Sequence, residues 1–316
     1  MELFYKMKKV QILLSTYNGE QFLSTQLDSL LAQSYQNLDI LIRDDGSTDG
    51  TIGLLQEYAQ CHSNITYFSG ENLGPQGSFF ELMKAADLSS DYFAFCDQDD
   101  YWKEEKVRAA VETLESLNSS QGTEPSLLLY CGKPTLVDSQ LNSLPTSIVC
   151  KNKTPGFGNA LIENICYGCT TVINRELLQF ANQYTPSHAL MHDWWLYLLA
   201  SCWGTVVYDS QSYLLYRQYE GNQVGTKGTY FSEFKYRLGL WKKRVWRFSK
   251  QAEDFSKFAR AIGKPLPAQQ KKLLTLFLEY PHSAKARMAI LGCKEIYRQR
   301  PEDTIAIKLC LLLGIL

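Results

Sequence analysis

Residues 90–102 read Ser-Asp-Tyr-Phe-Ala-Phe-Cys-Asp-Gln-Asp-Asp-Tyr-Trp, and this stretch decides the fold. Tyr92-Phe93-Ala94-Phe95-Cys96 is a short apolar run with the length of a fully buried strand. It ends in Asp97-Gln98-Asp99-Asp100. Three carboxylates in four residues repel one another, so something cationic must offset them. A divalent metal carrying a diphosphate is the simplest agent, and oxygen ligands suit Mg²⁺ or Mn²⁺. The plainer alternative is a solvated acidic turn in which Asp100 caps a helix near Glu104 and Glu105. The position favours the metal, because ligands of open α/β sheets bind at the carboxyl ends of strands.

Outward from this run the chain alternates strand and helix patterns. Lys8 to Leu14 reads as a first buried strand, followed by the loop Ser15-Thr16-Tyr17-Asn18-Gly19. Phe22, Leu23, Leu27, Leu30 and Leu31 then fall at helical spacing. Leu38–Ile42 is a second strand ending in Arg43-Asp44-Asp45-Gly46-Ser47-Thr48-Asp49-Gly50, with a helix from Thr51. Ile65–Phe68 is a third, followed by Glu71-Asn72-Leu73-Gly74-Pro75 and a helix opened by Ser78. Four strands alternating with helices predict a doubly wound, mostly parallel sheet. Right-handed crossovers then gather Tyr17, Asp44, Asn72 and Asp97 at one edge.

Beyond Asp100 the pattern predicts a helix over 104–117, a strand at Leu127–Tyr130 and a strand at Thr170–Ile173. Helices follow at Arg175–Gln183 and His192–Trp203, then short strands at Thr205–Tyr208 and Tyr213–Tyr216. After Gly228 the texture becomes helical, with further helices from about Ala268, Ala284 and Asp303. Phe231, Phe234, Leu238, Trp241, Val245 and Phe248 recur at i+3/i+4 spacing among Lys235, Arg237, Lys242, Lys243, Arg244, Arg247 and Lys250. This is the pattern of an interfacial membrane helix, or of a bundle helix with a solvated basic face. The expected division is 1–227 as a catalytic domain and 228–316 as a basic, amphipathic helical region. An aromatic helical tail equally suits a homodimer interface.

The net charge of −1 hides an asymmetry. Residues 1–227 carry 14 Lys+Arg against 26 Asp+Glu, and residues 228–316 carry 18 against 7. The tail therefore suits an anionic surface, or the acidic front half itself, and no nucleic-acid partner is expected. Nine scattered cysteines and the absence of a signal peptide favour free thiols in a reducing cytoplasm. Cys166-Tyr167-Gly168-Cys169 is a lone CxxC with no second pair for a zinc site; packing thiols around a glycine that admits a close approach is the simpler account. No run of 18 apolar residues exists, and the apolar Ile305–Leu316 is short and interrupted by Lys308. The expected location is the inner face of the cell membrane, held peripherally.

A dinucleotide site needs a glycine-rich turn after the first strand, and Ser15–Gly19 is not one; no P-loop is present either. The ordered set Ser15–Gly19, Arg43–Asp49, Asn72-Leu73-Gly74 and Asp97–Asp100 resembles family 2 glycosyltransferases of the GT-A fold over roughly residues 8–222. Met191-His192-Asp193-Trp194-Trp195 and Leu215-Tyr216-Arg217-Gln218 resemble the bacterial rhamnosyltransferases that build rhamnose-rich cell-wall polysaccharides. The resemblance implies that Thr16, Tyr17 and Asn18 line the nucleobase and that Asp44 accepts its N3–H. It places Asn72, Asp97, Gln98 and Arg217 on the nucleotide sugar, and Asp99 with Asp97 on Mn²⁺ or Mg²⁺. Asp193 becomes the base of an inverting transfer, with His192, Trp194 and Trp195 toward the acceptor. The implied donor is dTDP-L-rhamnose, or a UDP-sugar, and the implied acceptor a lipid-linked saccharide. The residue after Arg217-Gln218 is Tyr219 where the family usually has histidine. The chain also lacks the QxxRW of processive synthases. A nucleotidyltransferase would need a glycine-rich basic loop that is missing here. An inactive sugar-nucleotide-binding scaffold would have no use for Asp193.

Overall fold

The computed structural model describes residues 7–120, 126–145, 153–219 and 247–312. Strand β1 (Val10–Thr16) leads to α1 (Leu23–Leu31), β2 (Leu38–Asp44), α2 (Thr51–Cys61), β3 (Ile65–Ser69), α3 (Gly74–Ala85) and β4 (Tyr92–Asp97). Then come β5 (Tyr101–Trp102), α4 (Lys106–Ser120), β6 (Leu128–Gly132), β7 (Thr135–Val137) and α5 (Phe157–Ala160). A 3-10 turn (Gly168–Thr170) precedes β8 (Val172–Asn174), α6 (Arg175–Ala181), α7 (His192–Trp203), β9 (Thr205–Asp209) and β10 (Leu214–Arg217). Helix α8 is described over 247–261, followed by α9 (Ala268–Glu279), α10 (Ala284–Gly292) and α11 (Pro301–Leu312).

The main sheet has seven strands in the order β3-β2-β1-β4-β8-β6-β9, and β5-β10-β7 form a small second sheet. Strands β1 to β4 are parallel, as the alternating pattern requires, and Thr16 pairs with Asp44 while Ser15 pairs with Asp97. Strand β8 runs antiparallel to both β4 and β6. Both faces of β1 are covered, so it reads as a continuous apolar run. Val10, Ile12 and Leu14 pack with Leu23 and Leu27 of α1 and Val107 and Leu114 of α4. Leu13 faces the other way, toward Phe79 and Leu82 of α3.

That second core also holds the C-terminal helices. Trp195, Phe255, Phe258 and Phe277 are buried in it. The Trp195 ring meets Phe258 at 5.7 Å and Phe255 at 6.1 Å, both edge-on. Each such ring contributes roughly 1.5–3 kcal/mol on burial. Residues 247–312 therefore close over α7 rather than trailing from it. The expected boundary at 227/228, and most of the basic helix of residues 231–250, lie outside the described residues.

Two elements start away from their expected positions. Helix α3 begins at Gly74, not Ser78, because Pro75 occupies its first turn and needs no amide partner. Helix α4 begins at Lys106 because Tyr101–Trp102 is drawn into β5, paired with β10. Asp100 is therefore not a helix cap. It sits in the turn between β4 and β5.

Candidate active site

The carboxyl ends of β1, β2 and β4 lie level, and their loops are cross-braced. Gln98 Oε1 accepts from Thr16 Oγ1 and the Tyr17 amide, both at 2.7 Å, while its Nε2 donates to the Tyr17 carbonyl at 3.1 Å. Gly19 permits this, since a Cβ there would stand 2.5 Å from Gln98 Oε1. Asn18, in the left-handed region at φ 47°, accepts the Thr48 amide at 2.8 Å. Arg43 pairs with Asp45 and donates to the Glu71 carbonyl at 2.9 Å, and Asp45 accepts the Leu73 amide at 2.9 Å. Asp49 accepts the Thr51 amide at the start of α2. Asn72 is exposed and accepts the Gly74 amide at 3.2 Å. Thr16, Gln98 and Asn18 are thus held by the protein itself, and Tyr17 is left 45 % exposed.

Asp44 differs from these. Its Oδ2 accepts the Gly46 and Ser47 amides at 3.2 and 3.1 Å, but its buried Oδ1 has no partner among the described residues. A buried acceptor left unmade is costly, and one free oxygen at the rim of the sheet suits a ligand N–H.

At the end of β4, donor atoms of Asp97, Asp100 and Cys169 lie within 4.8 Å of one another. Burial, then the charges of Asp99 and Asp193, raises Asp97 to about 7. Burial likewise pushes Asp100 well up and raises Asp99. Asp100 Oδ1 accepts the Arg217 amide at 3.2 Å, while beside the Cys169 thiol its Oδ2 has no N–H or O–H donor among the described residues. Asp99 turns instead to Tyr219, whose hydroxyl donates to Oδ2 at 2.7 Å. Arg217 Nε donates to the Asp99 carbonyl at 2.7 Å, and its guanidinium lies over the Phe22 ring at 4.4 Å. Behind the cluster, buried Lys106 places Nζ 3.1 Å from the Trp102 ring centroid with no hydrogen-bond acceptor among the described residues. Its pKa falls to about 8 through burial. The crowded carboxylates and the orphaned Asp100 oxygen fit a hard divalent cation, which would take the place of the protons. Burial holds the Cys169 thiol well above its usual value, so it offers little as a soft ligand.

Helix α7 brings the last group. Asp193 lies in its first turn, 6 % exposed, and accepts the Trp194 amide at 2.6 Å. Burial raises it to about 6, against hydrogen bonds from Trp194, Asn164 and the Gly168 backbone. Its charge raises Asp97, so the two carboxyls share one electrostatic site.

His192 and Trp195, expected at the acceptor, are 1 % and 0 % exposed. His192 stacks on Phe79 at 3.9 Å, with both ring nitrogens unpartnered among the described residues, and burial lowers it to about 3. It is a neutral packing group beneath Gly168, where a Cβ would meet its Nε2 at 2.9 Å. Trp195 belongs to the aromatic core because its helix must bury that face. Trp194 is half-buried, donating Nε1 to the Ala160 carbonyl at 2.6 Å. Arg217, expected on the nucleotide sugar, is 3 % exposed and spent on the carbonyls of Asp99 and Ser139.

The CxxC is not a redox pair: Cys166 directs its thiol to Cys131 at 3.1 Å, and Cys169 faces the acids. Cysteines among the described residues are free. No helix among the described residues is long and apolar enough to cross a membrane. Sequence reasoning missed Lys106 and the Asp99–Tyr219 bond. Tyr219 had drawn notice only as a departure, and its partner stands 120 positions away.

Residues 11–179 match the family model described as glycosyl transferase family 2. The chain is 31 % identical over 262 residues to the dTDP-rhamnosyl transferase RfbG of Shigella flexneri, covering 79 % of this chain and 84 % of that one. Among solved structures, S. aureus TarS 1-349 in complex with UDP-GlcNAc superposes with a TM-score of 0.56 at 16 % identity, covering 97 % of this chain and 91 % of that one. The mannosyltransferase PcManGT of Pyrobaculum calidifontis, in complex with GDP-Man and Mn²⁺, gives 0.54 at 15 %, covering 98 % and 86 %. The parallel sheet with acids gathered at its carboxyl edge is the GT-A glycosyltransferase fold, and the chain belongs to glycosyl transferase family 2.

Proposed function

We propose that the protein is an inverting, metal-dependent glycosyltransferase that moves rhamnose from dTDP-L-rhamnose to a lipid-linked saccharide in building a cell-surface polysaccharide. The observation that carries the reading is the pairing of Asp193 with Asp97 across one edge, a raised carboxyl beside an acid cluster. The similarity to a dTDP-rhamnosyl transferase supports the donor.

In this reading Asp44 Oδ1 accepts the N3–H of the base and Tyr17 covers its ring. Thr16, Asn18, Asn72 and Gln98 set the shape of that pocket. Asp97 and Asp99 would hold Mn²⁺ or Mg²⁺, Asp99 giving up its bond from Tyr219, with Asp100, which lies beside Asp97, supporting them. The bound cation supplies charge neutralisation to the leaving diphosphate. Arg217 contributes positive charge behind the Asp99–Asp100 turn and fixes its shape. Asp193 takes the acceptor hydroxyl proton as the new C–O bond forms at the anomeric carbon, opposite the departing dTDP. One displacement inverts the centre, so a β-linked donor gives an α-rhamnoside. The basic C-terminal region would bring the enzyme to the inner membrane face, where a lipid-linked acceptor is found.

Isothermal titration with Mn²⁺ or Mg²⁺ tests this, comparing dTDP-rhamnose with UDP-glucose, UDP-galactose and UDP-N-acetylglucosamine for wild type and Asp99→Asn. Metal-dependent binding of dTDP-rhamnose alone is expected, weakened in the variant. Asp44 would accept N3–H from uracil equally, so a preference for a UDP-hexose would keep the mechanism and replace the donor. Binding of no donor would leave an inactive scaffold.

A further inference from the structure

The burial of His192 and Trp195 leaves Asp193 without the acceptor contacts expected of them. A different cluster adjoins Asp193 through Gly168. Gly168, whose backbone hydrogen-bonds Asp193, would place a Cβ 3.6 Å from Asp193 Oδ2. The residue before it, Tyr167, is 42 % exposed. Its carbonyl accepts the Thr170 amide and hydroxyl, both at 2.8 Å, and the Thr171 hydroxyl at 3.0 Å. The ring is therefore displayed from a fixed turn. Lys153 lies over it, Nζ 4.5 Å from the centroid, and 5.3 Å from the Tyr208 ring. Tyr208 is brought alongside by β9, where it pairs with Cys131 at the end of β6. Lys153 has no ion-pair partner among the described residues.

We propose that Tyr167, Lys153 and Tyr208 form the acceptor subsite: Tyr167 stacks on the apolar face of a pyranose ring, and Lys153 pairs with a diphosphate attached to that saccharide. The inference rests on the reading above, which makes Asp193 the base. An exposed aromatic ring one residue from the group that touches the base is a surface that excludes water from one side of a sugar. The cation–π contacts that now hold Lys153 are weak at an exposed site. A hydrogen bond between charged partners is stronger. The ammonium therefore moves from the rings to an arriving anion and frees the Tyr167 face for the sugar. Loops of the nucleotide side cannot supply this, because β4, β8 and β6 separate them from Tyr208 in the strand order.

Saturation-transfer NMR and titration test the subsite on the full chain without requiring turnover. The probes are octyl-diphosphate-linked glucose, galactose, N-acetylglucosamine and rhamnose, with their neutral octyl glycosides. Wild type is expected to bind at least one diphosphate-linked probe. Tyr167→Ala should raise its Kd about tenfold or more, and Tyr167→Phe should restore it, since only the ring is needed. Lys153→Met should weaken the diphosphate-linked probe alone and leave the neutral glycoside unchanged. Binding of dTDP-rhamnose should be the same in all three variants, so a failure of the donor reading shows in its own titration. A Kd unmoved by Tyr167→Ala, equal losses on both probe types in Lys153→Met, or no probe bound by wild type overturns the proposal.

Discussion

On the β1–β2 side of the sheet edge, polar side chains are matched to the protein: Thr16 to Gln98, Asn18 to Thr48, Arg43 to Asp45 and Asp49 to Thr51. On the β4–α7 side they are mismatched. Among the described residues one Asp100 oxygen and both His192 ring nitrogens lack a hydrogen-bond partner, Lys106 rests on an indole, and Asp97 and Asp193 retain protons up to about 7 and 6. The first side is preorganised to hold a shape. The second crowds buried carboxyls that hold their protons, the kind of setting in which reactive groups are expected. Asp44 Oδ1 is the exception on the matched side, and it marks where a ligand donor is wanted.

The largest test of this contrast is Asp193→Asn, which should lower kcat by about 10²–10⁴-fold and leave donor binding intact, as steady-state kinetics and titration would show. In wild type, kcat/KM should fall about tenfold per unit as the pH drops below about 6, because the base is then protonated. Loss of donor binding in the variant would mean that Asp193 belongs to the nucleotide side.

Next, Gly19→Ala should disturb the matched side, since its Cβ would stand 2.5 Å from an oxygen that Gln98 cannot withdraw without breaking bonds to Thr16 and Tyr17. A loss of about 1–3 kcal/mol in thermal stability is expected, with weaker nucleotide binding.

The mismatched side should respond to pH and metal. Asp97 keeps its proton to about 7 when folded, whereas an unfolded aspartate loses it near 4. The folded chain thus binds more protons between these values, and metal-free stability should fall as the pH rises through about 7. Buried His192 works the other way, but only below the ordinary histidine range. Buried Lys106, lowered to about 8, also works the other way as the pH approaches 8, so the metal-free melting is compared between pH 6.5 and 7.5, where the carboxyls dominate. Mn²⁺ should raise the melting temperature more at pH 7.5 than at 6.5. Asp100→Asn should raise the metal-free value and reduce the metal increment.

The smallest effect is expected from Asn18→Ala. Its left-handed backbone costs a side chain without a local hydrogen bond about 1 kcal/mol, measured by denaturant titration, and Asn18→Gly should cost less.

The parallel half of the fold was legible because its signals are local: apolar runs of strand length ending in acids, each followed by helical spacing. Of the candidate site, the acids Asp44, Asp97 and Asp193 were legible as candidates because they stand at strand and helix ends. Its pairings were not. Nothing in the spacing joins Tyr219 to Asp99, or says that Gln98 is consumed by Thr16. Antiparallel β8 was read as a strand, but three residues do not declare a direction. His192 and Trp195 looked like contacts because they flank Asp193, yet successive helix positions point apart, and the core took both. Gly168 was the glycine whose role the sequence did disclose, a close backbone approach.

Residues 154–162 are tied down by residues far later in the chain. Thr154 bonds to Gln299 and Tyr297, the Asn159 carboxamide donates to the Tyr297 carbonyl, and Arg298 donates to the Ile162 carbonyl. A Cβ on Gly158 would strike the Glu295 carbonyl at 2.1 Å. The braces of the β1 and β2 loops, by contrast, are all in the chain once Gln98 has emerged. The strap reaches Thr154 from 145 residues later. At about 5–20 residues per second, that distance is roughly 7–30 s of synthesis. The growing chain therefore holds the partners of its first loops well before it holds those of residues 154–162, and the two regions are separated in time as they are made.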